Sequence, residues 1–576
     1  MGEILLTWWQ TIEYDAETLR RDVLAGLTVA LFALPQSMAY ALLAGVEPRY
    51  GLYAYIVGAV IGSAFGSSRH LQTGPTNATS IVAASALAVY ASRGDFMAVV
   101  FTLTLLAGLF QFGAGMLRLG NLTQFISRSV LTGFIAAAGL LIVVNQLPNL
   151  LGIRAFTSIR ATDVLLHVVA NLGALRVESL ALGLTTVATG LLLHKYSPRS
   201  KTGVPILPSH LLSILFAGAI VWFLGLDRRG VRLVGDIPAS LPPFSLPLFD
   251  FNLWQSLVPG ALAVMLIGVM ESISSAKSVA SFSSSRIAVD REFVGQGLAK
   301  IGVAFFSGIP VSGSLTRSIL SYRAGAVTRL ANIASGVFLA IIVFVFSPVV
   351  RYIPVAALAG MLVLIAVNMV NWEHARISLR ATRADAVAML ATFVAALVYP
   401  LDIAIYIGVG ISLILFLRRV QTPRLSELVY NGAGFRERSR TEARPIPEIS
   451  IVHVEGDVFF GAADSLEEEI GKIARRDQLQ VLILRLKRAY HVDATFVLTL
   501  MKLYEDLRRQ RKVLLISGAT PEIATVFRQS GVDQLIGMEN IFFSDATIFK
   551  STRAALDRAI ELLDQECTNT TRTARG

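Results

Sequence analysis

The sequence is poor in cysteine and in charge. It has 576 residues and a single cysteine, Cys567, which excludes an internal disulfide framework and a thiolate metal cluster. Charged residues make up 16% of the chain and hydrophobic residues 54%, whereas about a quarter of an ordinary soluble domain is charged. The sequence also lacks a Walker A loop, a nucleophile elbow and a metal-ligand cluster. We therefore expect neither an enzyme nor a resident metal or cofactor.

The shortage of charge is confined to the first part of the chain. Charges are sparse over about 23–417, whereas 418–576 has the composition of a soluble domain. The net charge of +11 would suit a nucleic acid, but the basic residues fall in short loops between apolar runs, where they orient a membrane protein. The first apolar run lacks a small-residue cleavage site, so we expect no cleaved signal.

The apolar runs form two sets of seven. A helix needs about 20 mainly apolar residues to cross the hydrocarbon of a bilayer. The runs lie near 23–44, 51–66, 76–91, 96–118, 125–147, 177–195 and 204–225, and then near 255–280, 290–306, 314–323, 328–350, 354–371, 383–400 and 401–418. Because an odd number of spans reverses the orientation of the second set, the sequence predicts an inverted repeat.

The third run of each set opens with residues that interrupt helices. These openings are TGPTN (73–77) and GIPVSGS (308–314), about 235 residues apart. Glycine- and proline-interrupted segments at matching positions of two halves point to the midplane site of a transporter. Backbone that is not helical persists at that depth only where it is buried in protein or lines a cavity.

Half-helices that begin at Thr76 and Ser314 would direct two positive dipole ends at one cavity, which suits an anion. The side chains of Thr76, Asn77, Ser312, Ser314 and Thr316 would add hydrogen-bond donors. The alternative interpretation is that these small residues serve close helix packing. The presence of two matched segments favours the binding site.

Two ionisable residues lie inside predicted spans, where burial is costly and function is the default hypothesis. Arg317 would offer a bidentate fork to a bound anion, or else it extends to an interface or pairs with an acid. Glu271 has Ser275 one turn further on the same face, and the pair would bind a coupling proton or a sodium ion. The alternative is that Glu271 forms a structural salt bridge with Arg317.

Two polar residues in the first span, Gln36 and Tyr40, are one turn apart and would line the same cavity. Alternatively, Pro35 only kinks this helix and Tyr40 is an interfacial aromatic residue. Lysine and arginine favour inner over outer loops by roughly two to one, which predicts that both termini are cytoplasmic. A cluster at Arg228, Arg229 and Arg232 runs against this orientation.

These residues carry a resemblance to a known family. The chain resembles the SulP anion transporters, prokaryotic relatives of the animal sulfate and anion exchangers, in motifs that follow one another in the same order along nearly its whole length. The motifs are PRYGLYAY (48–55), GSAFGSSRH (62–70), TGPTNATS (73–80), FISRSVLTGFIAAAGLLIVVNQLPNLLG (125–152), GDIPASLPPF (235–244), GIPVSGSLTRSILSYRAGAVTRLA (308–331) and IPVAALAGMLV (353–363). Tyr55 and Gly62 depart from the usual signature, and we expect neither to touch the site.

The resemblance implies an α-helical polytopic membrane protein of fourteen spans in two inverted repeats, divided into core and gate domains, which works by an elevator-like mechanism as a homodimer. It also implies an anion between the third and tenth half-helices and a cation-coupling acid at Glu271. A sodium-dependent bicarbonate branch has aspartate there, so glutamate resembles the proton-linked branches. The predicted substrate-binding residues are Gln36, Tyr40, Thr76, Asn77, Ala78, Ser314, Leu315, Thr316 and Arg317, and the predicted coupling residues are Glu271 and Ser275.

The C-terminal part alternates strand and helix patterns, which predicts an α/β domain with a mixed sheet. Strands are predicted at 449–454, 481–486 and 512–517, and helices at 464–475, 494–510 and 520–531. The domain resembles the STAS domain that closes SulP proteins. Ala494 stands where phosphorylated relatives have serine, so we expect no phosphoryl switch and interpret Asp493 and Thr495 as helix caps.

The predicted organisation and function follow from these features. We expect a cytoplasmic segment over 1–22, a transport domain over 23–419 with repeats at about 23–225 and 255–418, a linker over 420–445, a cytoplasmic STAS domain over 446–565 and a tail over 566–576. The expected function is proton-coupled uptake of a small oxyanion, sulfate first, across the bacterial inner membrane, with membrane lipid and a second copy of the chain as partners. Bicarbonate or dicarboxylate symport, including sodium-coupled symport, and uncoupled anion exchange or channel activity are the alternatives.

Overall fold

The structure is a computed structural model of the chain. It describes residues 14–120, 127–154, 156, 161–197, 208–235, 240–283, 285–420, 424–432, 434–439, 442, 444–458 and 460–573. The chain divides into two compact units, the first ending at Leu413 and the second beginning at Ile414. Each unit is described by itself.

In its described residues, the first unit is helical apart from two short strands. Its elements are α1 (Ala16–Leu43), α2 (Pro48–Phe65), β1 (Gln72–Gly74), α3 (Asn77–Leu87), α4 (Phe96–Met116), α5 (Arg128–Leu150), α6 (Ala161–Ala170), α7 (Val177–Tyr196), α8 (Ser209–Leu224), α9 (Phe251–Ser283), α10 (Val289–Phe305), β2 (Ser312–Ser314), α11 (Leu315–Arg323), α12 (Leu330–Val350), α13 (Val355–Met369), α14 (Trp372–Ala381), α15 (Arg383–Val398) and α16 (Leu401–Val420). Each predicted span coincides with one of these helices, whereas α6 and α14 had no counterpart in the predicted spans.

Seven helices of the described part are long and apolar enough to cross a membrane, by length and composition. They are Ala16–Leu43, Phe96–Met116, Arg128–Leu150, Phe251–Ser283, Leu330–Pro348, Val355–Ala381 and Leu401–Arg418. By contrast, α3 has 11 residues and α11 has 9, about half of what a full span needs. The two segments predicted to be broken are therefore half-helices.

The helices of the first unit pack in two groups. In one group α1 lies along α2 and α12, while α10 lies along α2 and α4 and α9 contacts α3, α4 and α11. In the other group α5 packs against α13 and α15, and α7 packs against α8 and α13. The first group combines the first four predicted spans of each repeat, and the second group combines later ones. This grouping agrees with the predicted core and gate domains.

Glycine allows the closest contacts within these groups. A Cβ atom at Gly108 of α4 would lie 2.8 Å from the backbone nitrogen of Ile301, and one at Gly133 of α5 would lie 2.2 Å from the carbonyl oxygen of Met389. Small residues at such contacts are the usual means by which membrane helices approach one another.

The second unit contains a six-stranded mixed sheet within its described ranges. The strands are β3 (Arg424–Tyr430), β4 (Phe435–Glu437), β5 (Ile449–Asp457), β6 (Val481–Tyr490), β7 (Val513–Ala519) and β8 (Ile541–Phe543), in the order β4-β3-β5-β6-β7-β8. The helices are α17 (Phe460–Ala474), α18 (Ala494–Arg509), α19 (Pro521–Ser530), α20 (Val532–Ile536) and α21 (Lys550–Thr573). β5 to β8 are parallel, and β3 pairs antiparallel with both β4 and β5.

The three predicted strands are present in the second unit, but the folded domain starts earlier and ends later along the chain than predicted. The stretch predicted as a linker, 420–445, contributes β3 and β4 to the sheet, and α21 continues from the domain into the predicted tail. Asp493 caps α18 as predicted, since its carboxylate accepts a hydrogen bond of 3.0 Å from the backbone N–H of Phe496. Thr495 lies inside the first turn of α18 and is not the cap.

Candidate anion and coupling site

The two half-helices follow two short strands of the first unit that pair with each other, and we call the place where these strands pair the crossing. β1 and β2 pair antiparallel, with Thr73 opposite Gly313 and Gly74 opposite Ser312. Each strand leads directly into a half-helix, α3 after Thr76 and α11 after Ser314. The prediction that these two segments meet is therefore confirmed, although 236 residues separate Thr76 from Ser312 along the chain.

Side chains cap both half-helices at this crossing. The Thr76 hydroxyl accepts from the backbone N–H of Thr79 at 3.4 Å, and the Ser314 hydroxyl accepts from that of Arg317 at 3.5 Å. In α3 the N–H of Ala78 donates to Asn77 Oδ1; the remaining N–H groups of each first turn have no carbonyl partner within their own helix, and they carry the positive end of the helix dipole. Two sources of positive potential thus converge at one place without a full charge.

Glu271 on α9 lies between the two segments. Its Oε2 accepts hydrogen bonds of 2.6 Å from both the Thr76 and the Ser312 hydroxyls, and these hydroxyls lie 2.9 Å from each other. A carboxylate that accepts from two hydroxyls is satisfied while it is ionised. One acid on α9 therefore joins both repeats at the crossing.

β2 is fixed to α9 through both backbone polar atoms of Gly313. Its N–H donates to Ser272 Oγ at 2.8 Å, and its carbonyl accepts from Ser275 Oγ at 3.4 Å. A Cβ atom at Gly313 would lie 2.9 Å from the Cα atom of Ser272, so only glycine permits this approach. Ser275 thus lies beside the crossing as predicted, with its hydroxyl directed at the backbone.

Arg317 is buried, with 1% of its surface exposed. Its guanidinium donates to the carbonyl of Pro75 at 2.8 Å and to Gln36 Oε1 at 3.5 Å, and its Nε has no hydrogen-bond partner among the residues that the structure describes. The arginine therefore ties α11 to the break before α3 and to α1. Of the described residues, Glu271 and Arg317 form no ion pair with each other, so the salt bridge considered from the sequence is wrong for this structure.

Tyr55 and Gly62 belong to the surroundings of the site, contrary to the expectation from the sequence. The Arg317 guanidinium carbon lies 5.4 Å from the centre of the Tyr55 ring, and the Tyr55 hydroxyl donates to Gln72 Oε1 at 3.1 Å. A Cβ atom at Gly62 would lie 2.5 Å from Thr73 Oγ1. The two residues that depart from the usual signature thus both pack against β1.

The remaining predicted residues surround the same crossing. Gln36 and Tyr40 are buried on α1, and Tyr40 is close enough to Arg317 and Glu271 for electrostatic interaction. Asn77 and Ala78 form the first turn of α3, where Asn77 Oδ1 accepts from the N–H of Ala78 at 2.9 Å. In the first turn of α11, the side chains of Leu315 and Thr316 are exposed.

Sequence reasoning missed one charged residue near the site. Lys300 on α10 is fully buried, and its ammonium donates to Gln111 Oε1 at 2.5 Å. The signal was available, because this is a lysine within the apolar run LAKIGVAFF (298–306) and an ionisable residue inside a span is a functional hypothesis.

Comparisons with known proteins identify the family of the chain. The profile described as the sulfate permease family matches residues 19–392, and the STAS domain profile matches residues 440–555. The chain belongs to the sulfate permease family. Sulfate permeases are integral membrane transporters of anions rather than enzymes, so the predicted family and the predicted class of protein are confirmed.

Two bacterial relatives of this sulfate permease align along nearly the whole chain. The putative sulfate transporter YvdB of Bacillus subtilis is 27% identical over 535 residues, which cover 92% of this chain and 97% of that protein. The probable sulfate transporter Rv1739c of Mycobacterium tuberculosis is 28% identical over 553 residues, which cover 94% of this chain and 96% of that protein.

Solved structures show that this sulfate permease has the same fold as known transporters. The structure of SLC26A9 superposes with a TM-score of 0.85 at 18% identity and covers 98% of this chain and 93% of that chain. The transmembrane domain of the cyanobacterial bicarbonate transporter BicA gives a TM-score of 0.60 at 24% identity and covers 68% of this chain and 98% of that chain. The predicted fold class, a helical membrane transporter with a C-terminal STAS domain, is confirmed.

Proposed function

We propose that this sulfate permease takes up sulfate together with protons across the bacterial inner membrane, by an elevator-like movement of the anion site. The observation that supports this most directly is the position of Glu271. Its carboxylate accepts from Thr76 and Ser312, which are residues of the two segments that open the half-helices. An acid at the point where an anion binds gives the cargo and a proton a common site.

The anion is held by the first turns of α3 and α11. Their free N–H groups and dipoles favour negative charge, and the buried Arg317 adds a full positive charge beside them. The side chains of Asn77, Ser314 and Thr316 complete the set of donors, while Gln36 and Tyr40 close the cavity from α1. Dipoles and hydroxyls of this kind recognise charge and size, so a small oxyanion fits them.

Protonation of Glu271 prepares the site for the anion in two ways. It removes a negative charge that repels the cargo. It also makes the carboxyl a weaker acceptor, so that the Thr76 and Ser312 hydroxyls, which the ionised carboxylate holds at 2.6 Å, can donate to the anion instead. Proton and anion then bind with positive coupling, and this coupling is reciprocal.

Sodium coupling is the second candidate, and one observation favours it. Three oxygen atoms lie together where the two segments meet, Glu271 Oε2, Thr76 Oγ1 and Ser312 Oγ, and the next residue along the chain, Gly313, accepts from Ser275 Oγ. Hard cations prefer such oxygen ligands. Bicarbonate or a dicarboxylate is the corresponding alternative cargo, and uncoupled exchange is the alternative mode.

The test is uptake of labelled sulfate by proteoliposomes that contain the purified chain. We expect accumulation under an inward proton gradient, no additional accumulation under a sodium gradient, and competition by other small oxyanions. Accumulation that follows sodium alone would replace the proton by sodium. Equal uptake with and without any gradient would show an uncoupled exchanger or channel.

We further propose that the transporter is a homodimer with both termini in the cytoplasm. Supporting considerations are the soluble second unit that follows α16 directly and the excess of basic residues in the predicted inner loops. Light scattering of the protein in detergent should give the mass of a dimer, and a monomer mass at every concentration would contradict the proposal. Labelling of single cysteines placed at either terminus should occur only from the cytoplasmic side.

A further inference from the structure

The side chain of Lys300 is among the largest fully buried side chains of the described residues, with 0% of its surface exposed. It lies on α10, and its ammonium donates to Gln111 Oε1 on α4. Within the described part of the chain, no carboxylate forms an ion pair with Lys300. A buried ammonium that has only a neutral amide for a partner is costly, and a nearby negative charge would stabilise it.

The nearest part of the site is β2 together with α9. A Cβ atom at Gly268 would lie 3.2 Å from Lys300 Nζ and 3.5 Å from the Cβ atom of Ser312. Gly268 thus marks a point where the ammonium and Ser312 approach the same turn of α9. Because Gly268 and Glu271 are three residues apart, they lie on one face of that helix, which places Glu271 on the side of α9 that Lys300 approaches.

In the described part of the first unit, the carboxylates of two other buried acids, Glu292 and Asp22, accept hydrogen bonds from other residues. Glu292 lies eight residues before Lys300 on α10, about 12 Å along the helix axis, and its carboxylate accepts from the N–H and the hydroxyl of Ser67 at 2.8 Å each. Asp22 accepts from the N–H of Val327 at 2.7 Å. Neither carboxylate is available to Lys300, which leaves Glu271 and the cargo.

Few other ionisable groups face Lys300. α10 packs against α2, α4 and α9, and neither α4 nor β2 contains an ionisable side chain. The ionisable residues of the other two helices are Glu271 and Lys277 on α9, and Arg49, Tyr50, Tyr53 and Tyr55 on α2.

We propose that Lys300 sets the valence of the transported anion, so that the loaded site matches a dianion. Lys300 and Arg317 contribute two positive charges, and ionised Glu271 reduces their sum to one. When Glu271 takes up the coupling proton, the site regains two positive charges, which are neutralised by an anion with two negative charges such as sulfate. A site without Lys300 would instead balance a monoanion. This inference depends on the proposed function, because it assumes that Glu271 is the proton acceptor.

The test compares the initial rates of labelled sulfate and labelled chloride exchange in proteoliposomes. Lys300→Met should lower the ratio of sulfate to chloride rate by about tenfold or more, since the lost positive charge attracts a dianion more strongly than a monoanion. Lys300→Arg retains the charge and should restore most of the ratio, even if the larger side chain slows both rates.

Gln111→Leu is the matched control, because it removes the hydrogen-bond partner of the ammonium and leaves the charges unchanged. It should keep the ratio within about threefold of the wild type. The double variant Lys300→Met/Gln111→Leu replaces the polar pair by apolar side chains and serves if the single methionine variant is unstable. It should show the same loss of sulfate preference as Lys300→Met.

Two results would overturn the proposal: a wild-type ratio in Lys300→Met or the double variant, or a shift in Gln111→Leu as large as that in Lys300→Met. The second result would mean that packing, rather than charge, controls selectivity. Absence of sulfate transport by the wild-type protein would refute the proposed function instead, so the two failures are distinguishable.

Discussion

The hydroxyl oxygens of Thr76 and Ser312 lie 2.9 Å apart, and both donate to the same carboxylate oxygen of Glu271. Thr76 is the N-cap of α3, and Ser312 lies in β2, two residues before the N-cap of α11. The three side chains therefore link the two half-helices to α9. A change in the protonation of Glu271 therefore acts on both halves of the anion site, the α3 half and the α11 half, at once.

Gly74→Ala should damage the site by steric overlap. A Cβ atom there would lie 2.4 Å from Cδ2 of Tyr55 and 3.2 Å from Nη2 of Arg317, so the ring or the guanidinium must move. We expect a loss of about 1–3 kcal/mol in stability, seen as a lower melting temperature in detergent, together with reduced sulfate uptake. Gly113→Ala on α4 is the control, because no heavy atom lies within 4 Å of its Cβ position. Equal melting temperatures for the two variants would contradict this account of β1.

Arg317→Lys should not substitute for arginine. The guanidinium contacts Pro75 and Gln36 through different nitrogens, whereas an ammonium is a single point of charge that cannot reproduce a planar fork. We expect sulfate uptake to fall by about tenfold or more in Arg317→Lys and further in Arg317→Gln, which also loses the charge. Uptake kinetics across a range of sulfate concentrations measure this. Wild-type kinetics in Arg317→Lys would show that only the charge matters.

The second unit should lose stability in mild acid because of His453. Burial, reinforced by the Arg485 guanidinium whose Nη1 lies 3.0 Å from the ring, lowers the pKa of His453. The unfolded chain, with an ordinary histidine pKa of about 6.5, therefore takes up a proton before the folded one does. Stability is complete above about pH 6.5 and falls as the pH drops below it.

Thermal denaturation of the full chain at about pH 7.5 and about pH 5.5 tests the role of His453. His453→Gln should reduce the difference between the two melting temperatures, because the titrating group is gone. His374→Gln is the control, because it removes an exposed histidine of the first unit and leaves the second unit unchanged. An identical pH dependence in wild type and His453→Gln would refute this explanation.

The broken segments could be predicted from the sequence because their cause is local. Glycine and proline interrupt a helix wherever they stand together, and hydroxyl residues cap the helix that follows. TGPT (73–76) and PVSGS (310–314) therefore gave the starts of α3 and α11, and their equal places in the two repeats indicated that they meet.

The partners of the buried charges could not be predicted because they depend on packing. Glu271 and Arg317 are opposite charges in neighbouring elements, which made a salt bridge between them plausible. In the fold, however, Arg317 donates to the carbonyl of Pro75, and Glu271 accepts from two hydroxyls. Whether Tyr55 faces the site and which side chain meets Lys300 depend on how α2, α4 and α10 pack together. No local pattern in the sequence records that packing.

The first two strands of the second unit, β3 and the edge strand β4, were missed for a different reason. β3 and β4 lie in a stretch rich in charge, RLSELVYNGAGFRERSR (424–440), and such a composition favours a linker. The charges have partners in the fold: Glu427 pairs with Arg438 at 2.7 Å and with Arg444 at 3.2 Å. Strong charge in an edge strand is also a common protection against pairing with other chains.

The most direct test of the coupling account is transport by Glu271→Gln. Glutamine mimics the protonated acid, so anion binding and the exchange of labelled for unlabelled sulfate without a gradient should persist. Uphill uptake driven by an inward proton gradient should be lost, because the variant has no group to carry the proton. Both assays use the same proteoliposomes, so the exchange rate is the control for protein that is folded and inserted. If Glu271→Gln still concentrates sulfate in response to the proton gradient, Glu271 does not couple the proton and the account is wrong.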